Sequence, residues 1–386
     1  MEFLGETINR VIEAYGLGGV IISIVALVLF VLQIVHYVRF ARIAGFRLSK
    51  RNKVRDVEPP VSVIVTMFSE NSEWLENGLL TLLAQDYQQF EVVVVYVGND
   101  ANFYADICQL RRAYPHLKTT HIDYSRQYPI TNKMALNIGI KAAEYECMIF
   151  TSTEALPASE HWLSLMAKGF VYGDIVLGYC GMERNGGLRN LFCRKYRFVE
   201  SLRWISEAIA NRPYRGTRHN FGFTKSLYFG VRGFNYLSMN VGEDDLFLQS
   251  IAGNGRVSVV LSPRARCTEI YWKGATRWID LEHRAGATRR YYTMRSRNVE
   301  VCEMLSRYGL WVAAVMMMIF LPLELKIAAA ALLAIRYVVV SFSLMRAANR
   351  IGEHGIAPWG VVFDLVEPLV RGWVRLTQKR KYSEWR

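Results

Sequence analysis

Two groups of carboxylates stand out in this 386-residue sequence. The first is a single residue. Cys147-Met148-Ile149-Phe150-Thr151-Ser152 reads as a buried strand running into Thr153-Glu154 and then Ala155-Leu156-Pro157. Glu154 thus falls just past the carboxyl end of a strand, where open α/β sheets place their ligands. The second group is the run Glu243-Asp244-Asp245, set between Gly242 and Leu246-Phe247-Leu248. Three adjacent acids are costly to ionise together, which lifts one pKa toward a useful range. A positioned carboxylate can then take the proton of an attacking hydroxyl. Acidic side chains also favour helix N-termini on electrostatic grounds alone, but that preference explains one carboxylate better than three in a row. Arg215 to Gly222 is a polar, glycine-bearing stretch whose His219 reads first as a structural histidine and second as a phosphate or acceptor contact.

The elements that must position these groups alternate from Pro59-Pro60 onward. Val61 to Thr66 reads as a strand, and Asn71 as the cap of a helix with Leu75, Leu79, Leu82 and Leu83 on one face. Phe90 to Val97 is an unbroken apolar strand of the kind found in parallel sheets. A helix through Ile107 and Leu110, a strand at Thr119 to Ile122 and a helix from Thr131 to Glu144 lead to the strand before Glu154. The order β-α-β-α-β-α-β predicts a doubly wound α/β sheet. Further on, Phe223 to Phe229 is strand-like. Leu191 to Ala210 is amphipathic, with Arg189, Arg194, Lys195, Arg197 and Arg203 around its apolar face. That pattern suits a helix in a membrane interface or a core helix with a solvated basic side.

Composition adds a membrane. The chain is 52% hydrophobic, and a mean hydropathy of +0.10 is high for a soluble protein. Leu17 to Val38 carries no charge over about the length that crosses a hydrocarbon core. It lacks the basic start and small-residue end of a cleaved leader, so it reads as a retained anchor. Arg39, Arg42, Arg47, Lys50, Arg51, Lys53 and Arg55 follow it, which predicts a cytoplasmic location for what comes next. The net charge of +13 flanks apolar runs, which favours anionic lipid headgroups over nucleic acid as its partner. Gly309 to Leu323 and Ile327 to Met345 predict a helical hairpin. Within it, Arg336 reads as paired with Asp364 or Glu367, as snorkelling, or as functional. Ile356 to Leu376 is less apolar, and a crossing there would put Lys379-Arg380-Lys381 outside, so it is expected to be interfacial or re-entrant. Six scattered cysteines show no metal or redox spacing. The expected organisation is an anchor at 1–38, a basic linker at 39–58, a catalytic domain at 59–300, a transmembrane hairpin at 301–345, and a last helix with a basic tail at 346–386.

The order of motifs over residues 59 to 285 resembles the family 2 glycosyltransferases, membrane-anchored bacterial enzymes. PPVSVIVTMFSEN looks like that family's first strand, ITNKMALNIGIKAA resembles its Gly-Lys-x-x-Ala-Leu-Asn helix without the glycine, and GEDDLF resembles its catalytic segment. The resemblance implies a GT-A fold, with a Rossmann-like, doubly wound mixed sheet between N-terminal and C-terminal transmembrane helices. It implies an inverting, metal-dependent transfer of a sugar from a nucleotide-diphosphate sugar to a lipid or lipid-linked glycan at the cytoplasmic (inner) membrane. Asp244 would be the general base, with Glu243 beside it.

Glu154 stands where the family's Asp-x-Asp motif holds Mg²⁺ or Mn²⁺, and Ser152 stands at the first Asp, which contacts the donor. Thr66, Phe68 and Glu70 follow the strand end that meets the nucleotide. Tyr96 is expected to stack on the base and Asn99 or Asp100 to bond it, while Lys133 and Arg284 would contact phosphate. His219, Asp245 and Trp278 would lie on the acceptor side. Around Trp278 and Glu282-His283-Arg284 the processive members' Gln-x-x-Arg-Trp motif matches poorly. Two or three helices also make a poor polymer channel, so transfer of a single sugar is expected. A nucleotide-sugar-binding or scaffold protein of the same fold, catalytically impaired at Ser152, is the alternative.

Overall fold

The computed structural model describes residues 2–48, 58–125, 127, 130–235, 241–270, 277–356 and 360–377. Lys50, Arg51, Lys53, Arg55 and the tail Lys379 to Lys381 lie outside them. The chain forms two compact units.

The larger unit, Phe46–Tyr292 with Asn349–Ile356 and Val366–Arg386, has ten strands among its described residues. They are β1 (Val61–Met67), β2 (Phe90–Val97), β3 (Leu117–Ile122), β4 (Cys147–Ser152), β5 (Ala155–Pro157), β6 (Ile175–Gly178), β7 (Cys180–Met182), β8 (Phe221–Thr224), β9 (Val257–Val260) and β10 (Cys267–Glu269). Seven form one sheet in the order β3-β2-β1-β4-β8-β6-β9, and β5-β10-β7 form a second. The first four strands of the main sheet are parallel, while β8 runs antiparallel to β4 and β6. The sheet is thus mixed, as the resemblance implied. The valine runs of β1 and β2 are buried on both faces because helices cover both sides. The chain leaves β1 toward β2 on one side and has β4 on the other. This reversal opens a crevice at the strands' carboxyl ends, where Thr66 pairs with Ser152.

Local rules hold in the first half of this unit. Asn71 Oδ1 accepts from Trp74 N at 3.0 Å, and Asp100 caps Ala101–Ala113 by accepting from Asn102 N and Phe103 N. Thr131 caps Asn132–Ala142. Two expectations change in the second half. The strand predicted from Phe223 stops at Thr224 and gives way to a helix, Lys225–Gly230, whose first turn is held by Ser226 N donating to Glu146 Oε1 at 2.9 Å. The helix Gly187–Ile209 is neither interfacial nor solvated on its basic side, because Arg194, Lys195 and Arg203 are all buried. Arg194 Nη2 lies 3.0 Å from the distant Glu353 Oε2, while Glu200 Oε1 receives both Arg203 of its own helix at 2.5 Å and the distant Arg371 at 3.0 Å. The periodicity was right about a core-facing stripe and could not show that the opposite stripe is covered too.

The smaller unit, Met1–Gly45, Thr293–Ala348 and Ala357–Leu365, is helical. Among the described residues, three helices are long and apolar enough to cross a membrane: Tyr15–Gly45, Met294–Phe320 and Leu323–Ile351. The first two are joined to the third through small residues, with Ala26, Ala313, Ala314 and Ala329 buried in one cluster, as membrane helices pack where lipid is as apolar as leucine. Above that cluster Gln33 Oε1 accepts from Arg336 Nε at 3.0 Å and Nη2 at 2.9 Å, and Arg336 Nη1 meets Asp364 Oδ2 at 2.6 Å. Arg307 bridges Asp364 and Glu303. Two arginines and two carboxylates cancel, so Arg336 is paired with Asp364, one of the readings its sequence allowed. Replacing Arg336 by Met leaves Arg307 alone against two buried carboxylates and is expected to cost about 3–5 kcal/mol. Thermal unfolding in detergent checks this, and an unchanged midpoint would contradict it.

Candidate active site

The crevice between β1 and β4 holds a cleft of about 110 Å³ whose walls include Thr66, Phe68, Ser152, Glu154, Arg218 and Asp244. Thr66 Oγ1 donates to Asn132 Oδ1 at 2.8 Å, and Asn132 Nδ2 donates to Glu243 Oε1 at 2.7 Å. This chain ties the end of β1 to the acidic run. Phe68 is exposed at the rim.

The structure sorts the three acids of that run. Glu243 is buried and held by Arg284 Nη2 at 2.9 Å. Burial opposes ionisation, but Arg284 keeps its carboxyl below the usual range. Asp245 caps the helix Leu246–Ile251, accepting from Leu246 N, and also takes hydrogen bonds from Tyr292 Oη at 2.7 Å and from Thr288. Burial first, and the neighbouring Asp244 second, push its carboxyl up to about 6. Asp244 is the half-buried one, and among the described residues its side chain makes no hydrogen bond or ion pair. It lines the first cleft and also a second one on its other side.

A carboxyl whose pKa is higher in the folded than in the unfolded chain stabilises the fold in its protonated form. Asp245 therefore contributes fully below about pH 4 and loses that contribution as pH rises through about 6. Relative to Asp245→Asn, wild-type stability is expected to fall between about pH 4 and 6 by at most about 1.4 kcal/mol per pH unit and to level off above that. Parallel pH-dependent curves for the two proteins would refute this.

Glu154 sits at the mouth of β4, paired with Arg218 Nη2. Antiparallel pairing sets Phe150 opposite Phe221, and two residues further along that register brings His219 beside Ser152. Ser152 Oγ lies 2.6 Å from His219 Nδ1 and also accepts from Glu154 N at 3.2 Å. On the ring's other side, His219 Nε2 lies 3.2 Å from Glu269 Oε1. Glu269 comes from β10, which pairs with β5 so that Glu269 faces Ala155, while Ile270 N donates to Glu154 O at 2.9 Å. The ligand atoms of Glu154, His219 and Glu269 all lie within 4.8 Å of one another.

His219 and Glu269 are fully buried, yet His219 Nε2 and both Glu269 oxygens lack a hydrogen bond of ordinary geometry. Burial holds the imidazole pKa down against the pull of Glu269, so the ring is neutral. Burial alone would raise the Glu269 carboxyl, but Arg197 and then His219 bring it down to about 2. Two carboxylates and a neutral imidazole are a donor set suited to Mn²⁺ or Mg²⁺. To ligate a cation through Nε2, His219 would donate from Nδ1 to Ser152 Oγ, 2.6 Å away, as a metal-binding histidine does to its outer partner. The residues present therefore fit a divalent cation.

Other expected site residues lie elsewhere. Tyr96 is buried, its ring packed against Phe103, Tyr104 and His121, and its hydroxyl donates to Glu70 Oε1 at 2.8 Å. No face is left for a base, so the stacking role expected of Tyr96 is corrected: both Tyr96 and Glu70 brace the end of β2. Asn99 exchanges two hydrogen bonds with the backbone of Tyr124, at 3.0 and 2.7 Å. Lys133 is in the first turn of Asn132–Ala142, where burial lowers its pKa. Trp278 packs edge-on against Phe192 and Tyr196 and lines neither cleft. Glu269 and Arg218 were not singled out from the sequence. Arg218 adjoins His219 and was within reach, whereas Glu269 carries no local signal, since a three-residue strand pairing across more than a hundred residues places it.

No family model and no curated protein matches the sequence. Among solved structures, TarS of S. aureus (residues 1–349) aligns over 84% of this chain and 89% of its own at 15% identity and a TM-score of 0.41. GalNAc-T7, solved with UDP, GalNAc and Mn²⁺, aligns over 58% of this chain and 48% of its own at 10% identity and a TM-score of 0.41. The mannosyltransferase PcManGT from Pyrobaculum calidifontis, solved with GDP-Man and Mn²⁺, aligns over 86% of this chain and 98% of its own at 19% identity and a TM-score of 0.52. The chain thus has the fold of a GT-A glycosyltransferase.

Proposed function

We propose that the protein is an inverting family 2 glycosyltransferase that moves a single sugar from a nucleotide-diphosphate sugar to a membrane-associated lipid or lipid-linked glycan. The observation that carries this reading is the position of Asp244, the unengaged carboxylate between two clefts. The donor occupies the cleft that holds Thr66, Ser152 and Glu154, and the acceptor hydroxyl enters from the other. Asp244 accepts the hydroxyl proton as the acceptor oxygen bonds to the anomeric carbon. The bond from that carbon to the diphosphate breaks on the opposite face, which inverts the configuration. Glu243 does not compete for the proton, because Arg284 keeps it ionised and occupied. Arg218 is placed to exchange its partner Glu154 for a phosphate oxygen, which a guanidinium binds in bidentate fashion. Glu154, His219 and Glu269 would hold the divalent cation, which neutralises charge on the leaving diphosphate.

The membrane setting rests on the three apolar helices and on Gly360–Leu376, whose Val361, Leu365, Leu369, Trp373 and Leu376 are exposed while Asp364, Glu367 and Arg371 are buried. An apolar outer face suits a helix in the membrane interface, with the catalytic unit on the cytoplasmic side and anionic headgroups against the basic residues. The test is release of nucleoside diphosphate from a panel of UDP- and GDP-sugars by the full chain in nanodiscs, with Mn²⁺ and with EDTA. Metal-dependent release supports the reading. Nucleotide binding without release in any condition favours a binding protein of the same fold.

A further inference from the structure

The second cleft lies beyond Asp244 and is walled by Trp204, Arg215, Thr217 and Glu282. Glu282 belongs to the helix Arg277–Arg289 and is only 8% exposed. Among the described residues it makes no hydrogen bond or ion pair. The neighbouring acids are occupied: Glu200 by Arg203 and Arg371, and Asp245 by Thr288 and Tyr292. A carboxylate that is buried, aimed into a cleft and without a donor has its desolvation uncompensated. Burial raises its pKa against the pull of Arg215, which is the sign of that deficit.

We propose that this cleft is an acceptor subsite for a neutral sugar residue, in which Glu282 accepts hydrogen bonds from ring hydroxyls. The proposal rests on the glycosyltransferase reading and narrows its acceptor to a glycan end. Charge decides against a phosphate headgroup. Each arginine on these walls already faces a carboxylate: Arg197 lies 3.9 Å from Glu269, Arg215 3.9 Å from Glu200 and Arg284 2.9 Å from Glu243, while Arg218 pairs with Glu154. The lining as a whole carries these four arginines and four carboxylates, Glu200, Asp244, Asp245 and Glu282, so it offers no positive excess for an anion. A sugar hydroxyl both donates and accepts, so it satisfies Glu282 and a neighbouring guanidinium together. Trp204 supplies the apolar wall that sugar C–H groups need. The void of about 40 Å³ admits the hydroxyl-bearing edge of a ring and leaves the rest of the acceptor outside.

The experiment is saturation-transfer NMR on the full chain in nanodiscs without donor, using methyl glycosides of glucose, galactose, mannose and N-acetylglucosamine, with methyl phosphate as the competing probe. At least one glycoside is expected to bind, to bind at least tenfold more weakly in Glu282→Gln and Glu282→Ala, and to withstand methyl phosphate. Unfolding midpoints of both variants verify that they are folded. Methyl phosphate binding that displaces the glycosides, or glycoside signals unchanged in both variants, or no glycoside signal, overturns the proposal. Donor release by Asp244, measured separately, reports on the parent reading. Glu282-dependent glycoside binding without donor release would leave the sugar subsite standing and remove the transferase.

Discussion

Asp244→Asn is expected to lower the rate of sugar transfer by about 10²–10⁴-fold, the usual worth of a general base, while nucleotide affinity stays unchanged. Asparagine has the same shape, and the Asp244 side chain makes no hydrogen bond or ion pair among the described residues, so no support of the site depends on it. The backbone contact that locates the residue, Gly216 N to Asp244 O at 2.9 Å, survives the change. A loss confined to kcat identifies an interaction made in the transition state. The same substitution at Glu243 would be harder to interpret, because it releases Arg284 and Asn132 together. Isothermal titration with UDP and GDP beside a transfer assay checks the split. Activity equal to wild type would remove Asp244 from its role, and lost nucleotide binding would make it a structural residue.

Glu269→Gln is expected to weaken Mn²⁺ binding by on the order of 10²-fold, at least as much as losing a residue that only orients a ligand. The side chain is fully buried, both of its oxygens lack ordinary hydrogen bonds, and it faces His219 and Glu154. Glutamine keeps the volume and removes the charge. The variant also loses stability without metal, because Arg197 and His219 hold the native carboxyl down to about 2. A depressed carboxyl contributes stability above its unfolded pKa of about 4.5 and loses it as the pH falls toward 2. The two effects separate when Mn²⁺ titration followed by electron paramagnetic resonance is set beside unfolding in EDTA. Unchanged Mn²⁺ affinity would exclude Glu269 as a ligand. Reduced stability with unchanged affinity would make it a purely structural anion.

The halves of the larger unit differed in legibility for a physical reason. Up to β4, the strands β1, β2 and β4 are largely apolar runs, and the helices Ala101–Ala113 and Asn132–Ala142 are capped by the residues just before them, Asp100 and Thr131. Hydrophobic period and capping are local, so one chain segment displays them. Beyond β4 the strands shorten to three or four residues and their partners lie far away. Local pattern cannot separate a short buried strand from the helix that follows it, as at Thr224, nor reveal that the basic stripe of Gly187–Ile209 meets Glu269 and Glu353. Tyr96 failed as a base platform for the same reason: whether an aromatic at a strand end faces a ligand or its own helix depends on Tyr104 and His121.

The sequence by itself determined the alternation of the sheet, the apolar helices, the place of Glu154 at a strand end and the presence of an acidic run before a helix. Those features depend on side-chain type and on spacings of a few residues. Tertiary structure decided which acid of the run is free, since Arg284 engages Glu243, and Thr288 and Tyr292 engage Asp245. It also turned Ser152 from a missing carboxylate into the partner of His219, and brought Glu269 to the same point. A carboxylate's task is set by which donors and charges surround it. In this protein those neighbours come from strands and helices that only the folded sheet brings together.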